Sequence, residues 1–147
     1  MTKRLSRAAL RRLVIARAHG CCEYCLSQMS YSSHSFAVEH ITPRIRGGKT
    51  IESNLALACQ GCNEHKHTKV KARDPLTGKL APLFHPRRHR WADHFTWSAD
   101  DLEIIGLTPT GRATVAALQL NRAEVVNLRR ILSAFDEHPP AHQLLSE

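Results

Sequence analysis

The 147-residue chain is 42% hydrophobic and 23% charged, the balance of one soluble globular domain with enough length to close a core. It carries 21 Lys/Arg against 13 Asp/Glu, a net charge of +8, and no apolar run long enough for a membrane span or a secretion signal. A cytoplasmic setting without membrane association is expected, where five cysteines suit metal ligation better than disulfides.

In chain order, residues 6–19 are predicted to be a helix. Leu10, Leu13 and Val14 recur at helical spacing, Ser6 is placed to cap the start and Gly20 to end it. Arg4, Arg7, Arg11 and Arg12 crowd its polar side with no acid before Glu23. A polar loop follows, and residues 36–41 alternate as a short strand. Pro43 and Gly47-Gly48 mark a turn, residues 55–58 form a second short apolar run, and a helix is predicted over 61–70.

Residues 74–78 read as a turn. Residues 91–97 and 102–107 then resemble a β-hairpin. Thr108-Pro109 opens a helix to about residue 118, and Asn121 with Glu124 caps a second one to about residue 135. Pro139-Pro140 is expected to end regular structure, with the last residues fraying.

The charge is polarised. Residues 1–90 hold 17 Lys/Arg and 5 Asp/Glu, a net of +12, whereas residues 91–147 net −4. Solubility alone would scatter charge; a concentrated basic block suits phosphate backbones. The two segments define a basic unit (1–90) and an extension (91–147) packed on it. Trp91, Phe95, Trp97, Ile105, Leu107, Val115, Leu118, Val125, Leu128 and Leu132 are the extension's expected core-facing positions.

Cys22-x2-Cys25 and Cys59-x2-Cys62 have the spacing of two knuckles able to hold one Zn²⁺ in a tetrahedron of thiolates. Cys21 with Cys25 is another permissible spacing, but Cys22 gives the closer match to the second pair. Buried inert thiols and a redox motif are the competing readings; a redox motif lacks the strand and helix context it needs. The 33 residues between the pairs imply an insertion.

That insertion carries Glu39-His40-Ile41-Thr42-Pro43, Gly47-Gly48 and Asn54-Leu55, and the second knuckle runs into Asn63 and Lys66. Neighbouring side chains on a strand point to opposite faces, so Glu39 and His40 divide the labour. One suits a cation and the other, with a side-chain pKa near neutrality, suits proton transfer. Phosphodiester hydrolysis requires both.

In order, spacing and residue type these landmarks resemble the HNH endonuclease family over residues 20–70. The resemblance implies an α+β fold: an N-terminal helix, a zinc-stapled ββα-metal core, then the β-hairpin and two helices. It implies metal-dependent cleavage of DNA, with His40 as general base and Asn54 orienting it. Glu39 and Asn63 would ligate a catalytic Mg²⁺ or another divalent ion such as Mn²⁺ or Ni²⁺. Zn²⁺ would be structural, at Cys22, Cys25, Cys59 and Cys62. Lys66, Arg44, Arg46, Arg7 and Arg11 are the expected phosphate contacts. Double-strand cutting by a single site would favour a homodimer. The rival is a catalytically inactive zinc-knuckle module that only binds nucleic acid, which would have no use for Glu39, His40, Asn54 and Asn63 as a set.

Overall fold

The computed structural model describes residues 4–145. Helix α1 (Arg7–Arg17) begins where the Ser6 hydroxyl accepts the Ala9 amide at 3.1 Å. Its one fully buried residue, Val14, packs toward the strands, leaving the arginine side outward. Gly20, in the left-handed region at φ +68°, turns the chain into the first cysteine knuckle.

Strand β1 (Ala37–His40) pairs antiparallel with β2 (Leu55–Ala58), with Ala37 opposite Ala58 and His40 opposite Leu55. All four residues of β2 are buried, which explains its unbroken apolar run. The 41–54 connection holds two 3₁₀ turns, at 44–46 and 52–54. Helix α2 (Gln60–Lys66) starts at Cys59 and stops at His67, which has φ +51°. The helix predicted to reach residue 70 is therefore shorter.

Two short strands, β3 (Lys71–Arg73) and β4 (Leu80–Pro82), then pair around the predicted turn. The Asp74 carboxylate closes that turn by accepting the Leu76 amide at 3.0 Å. This hairpin was not predicted, because three-residue strands are too short for alternation to register.

In the extension, the predicted first strand begins instead with a helical turn, α3 (Trp91–His94), and only then becomes β5 (Phe95–Trp97). The Trp91 indole explains the turn, since it donates to the Tyr24 carbonyl at 3.1 Å. Strand β6 (Ile104–Gly106) completes the hairpin. Ile104 is buried while Ile105 and Leu107 are about half exposed, so those two are not core positions; the pleat sends neighbours to opposite faces.

Helix α4 (Pro109–Leu118) starts at Thr108, whose hydroxyl accepts the Gly111 amide at 3.0 Å. Helix α5 (Ala123–Ala134) is capped at Arg122 rather than Asn121. The Asn121 side chain is spent across the fold, accepting from the Ile104 amide at 2.7 Å and donating to its carbonyl at 2.9 Å. A further helix, α6 (Ala141–Leu145), follows the proline pair where fraying was expected.

A single core joins both segments. Val14, Tyr24, Leu55 and Leu57 share it with Phe84, Phe95, Ile104, Leu118 and Leu120. Helix α4 contacts α2, β3, β4 and β6, placing the extension directly against the knuckle helix.

Candidate metal centre and active site

The cysteine pairs converge. The sulfurs of Cys22, Cys25, Cys59 and Cys62 all lie within 4.8 Å of one another, and all four residues are buried. Burial pushes the Cys22 thiol well up, while hydrogen bonding from Cys22 pulls Cys25 well down. Four buried sulfurs this close form a donor set that fits one soft-ligand cation. Cys21 stands apart, its sulfur near the His19 carbonyl and 4.0 Å from the His142 ring.

Two residues absent from the expected site face this cluster. The Arg122 guanidinium donates to Cys59 Sγ at 3.3 Å and to Cys62 Sγ at 3.6 Å. Arg129 is buried and donates to the Cys25 carbonyl at 3.4 Å. Neither belongs to a local motif; only the tertiary fold brings them there.

Strand β1 presents Glu39 inward and His40 outward. Glu39 accepts the Tyr24 hydroxyl at 2.7 Å and forms an ion pair with Lys66. Burial raises the Glu39 carboxyl, and the Lys66 ammonium opposes that rise. Lys66, expected at a phosphate, is instead 1% exposed and donates to the Ile41 carbonyl at 2.8 Å. Its long stem reaches into the core from α2, so it holds β1 to α2 rather than meeting solvent.

His40 is half-buried where β1 runs into the 41–54 loop, with Nε2 2.8 Å from the Thr50 hydroxyl. Burial lowers its pKa below the ordinary histidine value, and the neighbouring Arg44 lowers it further. Asn54 does not spend its amide on the His40 ring. Its oxygen accepts the Thr42 amide at 2.8 Å, and its nitrogen donates to the carbonyls of Thr42 (3.0 Å) and Lys49 (2.9 Å). Asn54 thus ties both ends of the 42–49 loop, and Thr50, at that loop's exit, supplies the contact to His40. A Cβ on Gly48 would overlap the Thr42 carbonyl, so this tie requires glycine there. Asn63 lies half-buried on α2, one residue past the cysteine pair.

Of the expected phosphate contacts, Arg7 and Arg44 are exposed. Arg46 is exposed but its Nε donates to the Thr68 carbonyl at 2.6 Å, and Arg11 is half-buried, donating to the Phe36 carbonyl at 2.8 Å. An open groove of about 800 Å³ runs between α1 and the 50–53 turn, lined by Arg4, Arg7, Arg17 and Thr50. Among the described residues no helix is long and apolar enough to cross a membrane.

The order of knuckle, strand with Glu39-His40, loop, strand, knuckle and helix agrees with a known family model. Residues 22–69, about a third of the chain, match that of the HNH endonuclease family. Over these residues the chain is similar to an HNH domain. No curated protein and no solved structure matches the chain. Within this region, the paired strands β1 and β2 followed by α2 form the ββα unit, and the four cysteines staple its two ends. The contacts at Thr50, Arg122 and Arg129 join this unit to its loop and to the extension.

Proposed function

We propose that the protein is a metal-dependent endonuclease that hydrolyses DNA phosphodiester bonds. The observation that carries this reading is His40: a half-buried imidazole at the loop end of the β1–β2 hairpin, held by Thr50, with its pKa lowered by burial and by Arg44. Such a ring is neutral near pH 7 and free to take a proton from water at the nitrogen that Thr50 does not engage. Thr50 is the positioning residue for His40, and Asn54 acts through the loop that carries Thr50.

Glu39 and Asn63, from β1 and α2, would supply the hard oxygen donors that a catalytic Mg²⁺, Mn²⁺ or Ni²⁺ takes, with Glu39 giving up its Lys66 or Tyr24 partner to do so. When bound, such an ion supplies charge stabilisation at the phosphate and leaving oxygen. Cys22, Cys25, Cys59 and Cys62 would hold a structural Zn²⁺. Arg7 and Arg44, with the groove beside α1, offer the duplex backbone a basic approach to His40. Residues 1–90 would then be the nuclease unit and 91–147 its packed extension, in a protein acting in the cytoplasm.

One observation favours the rival reading of an inactive nucleic-acid-binding module: Lys66 already neutralises the Glu39 carboxylate. Plasmid cleavage by the purified chain under Mg²⁺, Mn²⁺, Co²⁺ and Ni²⁺, with His40→Ala as control, separates the two. Cleavage that needs a divalent ion and disappears in His40→Ala is expected. DNA binding without cleavage under every ion supports the inactive module.

A further inference from the structure

A cation bound by four thiolates leaves a buried centre with a formal charge of −2 when that cation is Zn²⁺. Buried charge is costly unless compensated. The Cys62 amide donates to Cys59 Sγ at 3.4 Å and the Ser27 hydroxyl lies 3.2 Å from Cys25 Sγ, but among the described residues the cations facing the cluster come from outside residues 22–69. Arg122 places its two terminal nitrogens on Cys59 Sγ and Cys62 Sγ, at 3.3 and 3.6 Å. Its nitrogens also donate to the carbonyls of Leu118 and Gln119, which fix the side chain between the end of α4 and the cluster. Gly61, between Cys59 and Cys62, leaves the room, since a Cβ there would come within 2.5 Å of the guanidinium.

Arg129, seven residues further along and therefore on the same face of α5, reaches the opposite knuckle through the Cys25 carbonyl at 3.4 Å. It also donates to the carbonyls of Leu102 and Leu120 at 2.9 and 2.8 Å, and its guanidinium lies 5.1 Å from the centre of the Trp97 ring. Two guanidinium charges thus stand against a centre of −2, with the solvent-exposed Glu124 carboxylate 3.6 Å from Arg122 Nε on the outer side.

We infer that Arg122 and Arg129 are the counter-charges of the tetrathiolate metal centre, so that α5 docks on the metal-loaded knuckles and slows release of the ion. The inference rests on the zinc reading of the cysteine cluster. It gives the extension a role that its net negative charge conceals: its two best-placed cations are turned inward.

The test uses the full chain, with zinc stoichiometry measured by elemental analysis and zinc release followed with a colorimetric chelator. Removing an outer partner of a metal ligand typically weakens metal binding by about 10–100-fold, so release from Arg122→Gln should quicken by a similar factor. Arg122→Lys, which keeps the charge, should stay within about threefold of wild type. Gly61→Ala displaces the guanidinium without removing it and should also quicken release, which covers the case in which Arg122→Gln does not fold. In wild type, stripping the zinc should raise amide exchange across residues 123–134 more than across α1. Stoichiometric zinc with unchanged release in both Arg122→Gln and Gly61→Ala overturns the inference and leaves the zinc reading intact. A chain that purifies without zinc overturns both.

Discussion

Lys66 and Glu39 form a buried ion pair across the ββα unit, with the ammonium also donating to the Ile41 carbonyl at 2.8 Å. Both side chains are almost wholly removed from solvent, and Tyr24 satisfies the second carboxylate oxygen. Breaking a buried pair by deleting one partner leaves an uncompensated charge, at a cost of about 3–5 kcal/mol. Lys66→Met should therefore lower the urea midpoint substantially, and adding Glu39→Gln should recover part of the loss. If the double variant is no more stable than Lys66→Met, the pair is not the source of the effect.

The pH dependence of cleavage should report His40. Burial and then Arg44 lower its pKa, so the ring stays neutral to a lower pH than an ordinary histidine near 6.5. A base must be unprotonated, so the acid limb of kcat/KM should lie below pH 6.5. Removing the positive neighbour makes protonation easier, so Arg44→Ala should move that limb upward. An unmoved limb, with cleavage otherwise retained, would assign the titration to another group.

Thr50 and Asn54 differ in what they hold, and their variants should separate. Thr50→Val removes one hydrogen bond to the ring; a net hydrogen bond of about 0.5–1.5 kcal/mol corresponds to roughly 2–10-fold in rate. Thr50→Ser should restore it. Asn54→Ala frees three loop bonds at once, so it should lower thermal stability as well as rate. The pairing fails if Thr50→Val and Thr50→Ser cleave at the same rate.

The sequence made the ββα unit readable because each of its signals is local. Two x2 cysteine spacings, an alternating strand and a four-residue apolar run correspond to the cluster, β1 and β2 as found. What stayed hidden depends on partners distant in the chain. Lys66 reads as a surface cation until the carbonyl of Ile41 and the carboxylate of Glu39 come within its reach. Asn121 reads as a helix cap, yet its amide meets Ile104 seventeen residues earlier. Thr50 carries no motif; it is placed by a loop that Asn54 and Gly48 shape. Arg122 and Arg129 lie in the acidic segment, where net charge argued against a basic role.

Asp74 and Arg112 tie the unpredicted hairpin to α4 with two charge-assisted bonds, at 2.9 and 3.0 Å. Arg112 holds the Asp74 carboxyl well below the usual carboxylate range. The sign follows from linkage. The unfolded chain binds this proton more readily, so the contribution is complete above the unfolded pKa near 3.9 and fades as pH falls below it. Asp74→Asn should therefore flatten the acid limb of the stability curve below about pH 5 relative to wild type. Parallel acid limbs in the two proteins would show that other carboxyls set it.

Deletion of residues 91–147 tests whether residues 1–90 stand alone. The extension contributes Phe95, Ile104, Leu118 and Leu120 to the shared core, all at most 1% exposed. At roughly 1.5–3 kcal/mol per large side chain, four such residues account for about 6–12 kcal/mol. That matches the entire stability of a typical domain, about 5–15 kcal/mol. The truncation also removes Arg112 from the buried Asp74 and Arg122 from the sulfurs of Cys59 and Cys62. Residues 1–90 alone should therefore lack a cooperative melt and be rapidly proteolysed even with zinc supplied. A fragment that binds one zinc and melts cooperatively would show that the extension is an added layer and not part of the folding unit.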